Sequence, residues 1–285
     1  MHQFRKRFIL IIPVILAIAA CSTVPITGRK QLNLIPESQI NALSFTQYKE
    51  FISSSKLSDN VEQTRMVKRC GRNIQAAVEK FFADQGNSAS LNEYRWEFNL
   101  VEDSLVNAWC MPGGKVVFYT GILPLTQTED GLAVVMGHEI AHAVAEHGNE
   151  RMSQGLLAQL GGMALAKALQ SKPAETQAIF MTAFGVGTQL GVLLPYSRVH
   201  ENEADHLGLI FMSMAGYDPN AAVDFWTRMA EMKGGESPPE FLSTHPSDQT
   251  RIDNIKSLIP EAMTYYNERP KEPEKEKSGI ANPWD

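Results

Sequence analysis

The stretch VVMGHEIAHAV, residues 134–144, decides how the rest of the chain is read. On an α-helix, residues four apart share a face, so the imidazoles of His138 and His142 can converge on one point. Glu139 sits beside the first of them and can reach a water held there. A zinc ion at that point lowers the pKa of its water toward about 7, which makes proton removal by the glutamate feasible at neutral pH. Val134, Val135 and Met136 lead into the motif, and Ala141, Ala143 and Val144 carry the helix past it. A helix whose histidines merely pack or face solvent has no use for a glutamate between them. The stretch therefore predicts a catalytic metal site on a core-facing helix.

Such a site needs a third protein ligand and one open position. Of the seven histidines (2, 138, 142, 147, 200, 206 and 245), His147 turns partly off the ligand face. Carboxylates are better candidates, and Glu201-Asn202-Glu203-Ala204-Asp205 opens a second predicted helix over 198–214. Glu201 and Asp205 are four apart and share a face, while Leu207, Leu209 and Ile210 supply its apolar positions. One carboxylate can ligate the metal while its neighbour holds an imidazole N–H. On chemistry alone Glu201, Glu203 and Asp205 compete for these roles.

Working outward, the pattern predicts a mainly α chain with a small antiparallel β-sheet, an α+β fold. Helices are expected at 37–54 and 60–82, the second with Val67, Cys70, Ile74, Val78 and Phe81 on one face. Tyr94, Trp96, Phe98 and Leu100 alternate with polar residues as in a half-buried strand. Pro112-Gly113-Gly114 makes a turn, and 115–120 returns as the partner strand. Further helices are expected at 127–148, 151–170, 176–192, 198–214, 219–233 and 248–265. The stretches 155–169 and 179–195 are unusually apolar. The polar residues Gln159, Lys167, Thr182, Thr188 and Gln189 and several glycines favour helices buried in the domain or lining a groove over membrane spans.

The first twenty residues read as a leader. Arg5, Lys6 and Arg7 precede an uncharged run too short to span a bilayer comfortably, and Ile18-Ala19-Ala20-Cys21 resembles a bacterial lipobox. That resemblance implies processing before Cys21 and its lipidation, and Ser22 after it implies an outer-membrane destination. The organisation expected is thus a signal peptide at 1–20, a lipidated N-terminus and tether at 21–36, a metallopeptidase domain at 37–266 and a disordered charged tail at 267–285. Losing the leader removes three positive charges and moves the net charge from −6 to −9. An acidic chain is a poor partner for nucleic acid. In an oxidising compartment Cys70 and Cys110 would be the remaining pair able to form a disulfide.

Taken together, the ordered segments VNAWCMPGGKVVFYTG, GHEIAHAVAEH, LLPYSRVHENEADHLG and HPSDQTRI resemble the zinc metallopeptidases that include the heat-shock protease HtpX, the CAAX prenyl protease and the mitochondrial stress protease. The likeness is greatest to BepA-like periplasmic members and their lipoprotein relatives, and it covers roughly residues 22–262. It implies a zincin-like domain with one zinc per chain, His138, His142 and Glu201 as ligands, Glu139 as the base and Asp205 as the supporting aspartate. It implies that Asn107 and Ala108 begin a segment that binds substrate as an added strand. His245 opens the H-P-x-x-x-x-R element that Arg251 closes, and two roles are open for it. It can donate to the scissile carbonyl, a role for which Arg198, His200 and Arg251 are also candidates, or it can fill the open metal position as a latch. The expected activity is endopeptidase cleavage of misfolded or stalled cell-envelope proteins in the periplasm. The alternative is a non-proteolytic assembly factor that keeps the zinc fold.

Overall fold

The computed structural model describes residues 21–24, 27–172, 174–189, 194–232 and 239–268. The leader at 1–20 and nearly all of the expected tail lie outside the described residues. In chain order the elements are β1 (Cys21–Thr23), β2 (Lys30–Leu32), α1 (Glu37–Ser54), α2 (Val61–Asp84), β3 (Glu97–Val101), β4 (Ala108–Met111), β5 (Lys115–Tyr119), α3 (Leu123–Thr126), α4 (Glu129–Val144), α5 (His147–Leu169), α6 (Ala174–Thr188), α7 (Leu194–Met214), α8 (Ala221–Met232), α9 (Glu240–Thr244) and α10 (Gln249–Glu268). The described residues fall into two compact units, one within Met1–Ile40 and Ala145–Val199, the other within Asn41–Val144 and His200–Asp285.

In the first unit the expected tether is not free chain. β1 and β2 pair as an antiparallel hairpin, Ser22 opposite Gln31, and the chain on either side of β2 is pinned to α5. The Glu150 carboxylate is buried and takes both arms of the Arg29 guanidinium at 2.7 and 3.0 Å, since a buried carboxylate is costly unless paired. Ser153 and Asn149 on the same helix bind the backbone of Leu34 and Ile35 at 2.9 Å each. The predicted 127–148 helix ends at Val144 because Glu146 adopts a left-handed conformation, φ 56°, and α5 restarts the chain from His147. α5 and α6 pack together where the Phe184 ring lies on Gly161 and Gly162. Leu156, Leu157, Leu160, Met163 and Phe180 stand exposed on this pair, so of the two expectations, burial in the domain or the lining of a groove, burial does not hold for them. Among the described residues, no helix is long and apolar enough to cross a membrane.

The second unit holds the sheet, and it is mixed where an antiparallel one was expected. Strand order is β3-β5-β4, with β3 parallel to β5 and β4 antiparallel to it. The cause is the use made of the glycine turn. Gly113 and Gly114, at φ 79° and 82°, close a hairpin between β4 and β5, so β5 slots between its two neighbours and cannot run back along β3. β3 is also buried on both faces, since α2 covers one and the Tyr48–Trp109–Tyr119 aromatic cluster covers the other. Asn99, which the alternation assigned to solvent, instead donates to the Tyr48 hydroxyl at 2.8 Å.

α4 is buried from Gly131 to Val144 with the sole exception of His142, which is half-buried. It crosses α7 at a pair of glycines. A Cβ on Gly137 would stand 2.8 Å from the Gly208 carbonyl oxygen, and one on Gly208 would stand 2.8 Å from the His138 nitrogen. No L side chain fits there, and the absence of one lets the two backbones touch. Both cysteines are free thiols, a correction to the suggested bridge. Cys70 lies by Tyr217 and Glu129, at the start of α4. Cys110 lies by Glu139, ten residues further along that helix and so about 15 Å away at 1.5 Å per residue.

Gly208→Ala should cost about 1–3 kcal/mol of stability through overpacking. It should also weaken metal binding, because the methyl group separates the helices beside His138. Urea unfolding with and without zinc, set against the exposed Gly148→Ala, checks this. Equal behaviour of the two variants would contradict the close-approach role.

Candidate metal centre

Three elements of the second unit converge on one point. α4 brings His138 and His142, α7 brings Glu201, and the loop between α9 and α10 brings His245. Their donor atoms all lie within 4.8 Å of one another. His138 Nε2 is 3.1 Å from His142 Nε2, 3.0 Å from His245 Nδ1 and 3.4 Å from Glu201 Oε2. Glu201 Oε1 is 3.3 Å from His142 Nε2, and Oε2 is 3.0 Å from His245 Nδ1. Zinc bound to nitrogen and oxygen at 2.0–2.2 Å in a tetrahedron sets its ligands about 3.3 Å apart. The donor set and its spacing fit that ion.

The electrostatics ask for a cation as well. Burial resists charge on His138, but hydrogen bonds to Asp205 and Glu201 override it and raise its pKa to about 9. Burial likewise opposes ionisation of Glu201, yet the three imidazoles hold its carboxyl well below the usual range. Imidazoles around a carboxylate that stays ionised are a donor set that a divalent cation such as zinc can occupy.

Behind the donors stands a brace. Asp205 Oδ1 lies 3.0 Å from His138 Nδ1, so it takes the proton on that nitrogen and turns the Nε2 lone pair toward the other donors. Arg251 grips Asp205 with Nε and Nη2 at 2.8 Å each, and its Nη1 reaches the Pro246 carbonyl at 2.9 Å and Glu201 at 3.2 Å. Its guanidinium carbon lies 3.4 Å above the Trp226 ring. With its donors so engaged, Arg251 positions the ligands and is not poised to meet a substrate oxygen. Burial opposes a charge on Asp205, but Arg251 and His138 keep its pKa below normal.

Glu139 is buried, and its Oε1 has no hydrogen-bond partner among the described residues. The carboxylate accepts from the Cys110 backbone, and that same Oε1 faces His245 Nε2 at 3.4 Å, beyond hydrogen-bonding geometry. Burial raises its pKa, with His245 and His138 partly offsetting the rise. A carboxylate oxygen without a hydrogen bond at the edge of the donor set suits a base that takes a proton from water once the His245 ring moves aside.

Glu201 is thus the carboxylate in the donor set, with Asp205 behind it, while Glu203 is buried outside it. His200 is buried and also stays outside. Asn107 and Ala108 stand at the start of edge strand β4, where Asn107 Oδ1 accepts from the Ala108 amide at 2.9 Å. Sequence reasoning missed Trp226 and Phe241. The Phe241 ring lies 4.5 Å from the His245 ring, centroid to centroid. Their signal was only that of apolar positions on short helices.

A buried helix carrying two histidines and a glutamate, with a second helix supplying the carboxylate, is the arrangement of a metal-dependent peptidase. Residues 71–259 match the model of peptidase family M48. The chain belongs to that family, and with it to the metalloendopeptidases. It is 33% identical over 243 residues to mitochondrial metalloendopeptidase OMA1 of Schizosaccharomyces pombe, covering 84% of this chain and 67% of the relative. The Saccharomyces cerevisiae OMA1 is 34% identical over 199 residues, 67% of this chain and 55% of its own length. The beta-barrel assembly-enhancing protease of Yersinia pestis is 31% identical over 175 residues, 59% of this chain and 36% of its own. The chain thus spans only part of these relatives.

Asp205→Asn should lower zinc affinity roughly 10–100-fold while leaving the fold intact, as expected for the partner of a ligating histidine. Calorimetric titration with zinc, with circular dichroism as the check on folding, measures it. An unchanged affinity would remove Asp205 from the site.

Proposed function

We propose that the protein is a zinc endopeptidase of the cell envelope that cleaves unfolded or stalled proteins and rests with His245 closing its metal site. The observation that carries this reading is the place of His245 Nδ1, 3.0 Å from both His138 Nε2 and Glu201 Oε2, where a fourth ligand would sit. Zinc, when bound, supplies Lewis-acid polarisation of the scissile carbonyl and the attacking water. Glu139 takes the water proton and returns it to the departing amine. The loop behind His245 is tied down by Ser247 Oγ to the Trp226 carbonyl at 3.1 Å and by Arg251 to Pro246. Opening therefore needs only the imidazole to swing away.

The substrate is read as an extended chain lying along β4. Tyr119 N donates to the Asn107 carbonyl, which fixes residues 107 and 119 as a hydrogen-bonded pair. In an antiparallel ladder the next residue, and each second one after it, then faces outward. Ala108 and Cys110 occupy that outward edge, where the Ala108 amide is held by Asn107 Oδ1 and the Cys110 amide by Glu139, contacts that an incoming strand would exchange for its own. A peptide that added itself there would pass the base. The lipobox-like segment ending at Cys21 and the similarity to an assembly-enhancing protease support an envelope setting.

His245→Ala should cleave casein several-fold faster than the unaltered chain, and Glu139→Gln in either background should abolish cleavage while zinc stays bound. Slower cleavage by His245→Ala with zinc retained would replace the latch with a donor role. A fully active Glu139→Gln would end the peptidase mechanism.

A further inference from the structure

Outside the metal centre, the largest unexplained feature is the α5–α6 pair. Met152, Leu156, Leu160 and Met163 recur four, four and three residues apart, which places them within about 80° of one another on one face of α5. They are 41%, 41%, 51% and 63% exposed, and Leu157 and Phe180 add to the apolar surface. Gly161 and Gly162, which receive Phe184 of α6, point to the opposite side of the helix. The stripe therefore faces away from α6. A helix in water normally turns such a stripe inward, and a contiguous exposed one marks an interaction surface.

Charge says what kind of surface it meets. Across 151–189 the charged residues are Arg151, Lys167, Lys172 and Glu175, a positive balance in a chain whose net charge is −6. Lys167 stands on the stripe's own face one turn beyond Met163, where a long basic side chain reaches from an apolar face to headgroups, and Lys172 follows the helix. The stripe also shares its compact unit with the β1–β2 hairpin that starts at Cys21.

We propose that α5 lies in the headgroup region of an anionic lipid bilayer, apolar stripe inward, as a second membrane contact beside the N-terminus. The proposal rests on the lipidated-Cys21 reading for which bilayer is met, not for whether one is met. A lipidated terminus raises the local concentration of bilayer around its own unit, so a shallow contact too weak alone becomes effective.

The test uses the Cys21→Ser chain starting at residue 21, which has neither leader nor acyl group and keeps both units. Flotation with vesicles of phosphatidylethanolamine and phosphatidylglycerol should carry this chain upward. Leu156→Ser with Leu160→Ser should reduce the vesicle-bound fraction, by roughly tenfold in partitioning for each side chain. Circular dichroism and zinc content should be unchanged in the double variant. Failure to float, or equal flotation of both chains, would overturn the proposal. Self-association of the Cys21→Ser chain that the double variant loses, without flotation, would assign the stripe to a second copy instead. Acyl mass on the unaltered chain is measured separately by mass spectrometry. A missing lipid would thereby defeat the Cys21 reading alone and leave the flotation result standing.

Discussion

The site depends on two helices touching at bare backbone. Gly137 and Gly208 bring α4 and α7 into contact beside the first ligand, and each leaves no room for a Cβ. His138 is the next residue after one glycine, and Glu201 lies seven residues, about two turns, before the other. With ligands about 2.0–2.2 Å from a metal, the tolerance on helix spacing is a few tenths of an ångström. Larger residues at the crossing would move the imidazole and the carboxylate apart even if every donor were kept.

Burial makes that placement costly and then useful. Glu139, Glu201, Asp205, His138 and Arg251 are all less than a tenth exposed. Isolated, each charge would carry a desolvation penalty of several kcal/mol. They are not isolated, because Asp205 is shared between Arg251 and His138, and Glu201 between the imidazoles and Arg251. The stacking of Arg251 on Trp226 holds that guanidinium in place and links α8 to α10 across the back of the site. Glu139 is the member whose Oε1 makes no hydrogen bond and faces the His245 ring at 3.4 Å.

The parts of this arrangement legible in the sequence are those set by local period. His138 with His142, and Glu201 with Asp205, are read from four-residue spacing because a helix fixes it. Spacing alone did not separate Glu201 from Glu203, since both are buried and only the crossing of α4 decides which one meets the imidazoles. His245 lies 107 residues beyond His138, so its convergence was accessible only through resemblance of the whole motif. The sheet was misread for a similar reason. Alternation marks a strand, but the insertion of β5 between β3 and β4 is a long-range choice, as is the Tyr48 hydroxyl that draws Asn99 inward. The exposure of α5 was hidden in the same way, because an apolar helix looks alike whether a core or something outside the chain covers it.

The most direct test of the central claim, that the crossing helices build a four-donor site closed by His245, is X-ray absorption at the zinc edge of the zinc-loaded resting protein and of its His245→Ala variant. The account predicts three imidazole ligands and one carboxylate in the former, with one imidazole lost in the latter. A shell of two imidazoles that the substitution leaves unchanged would contradict it.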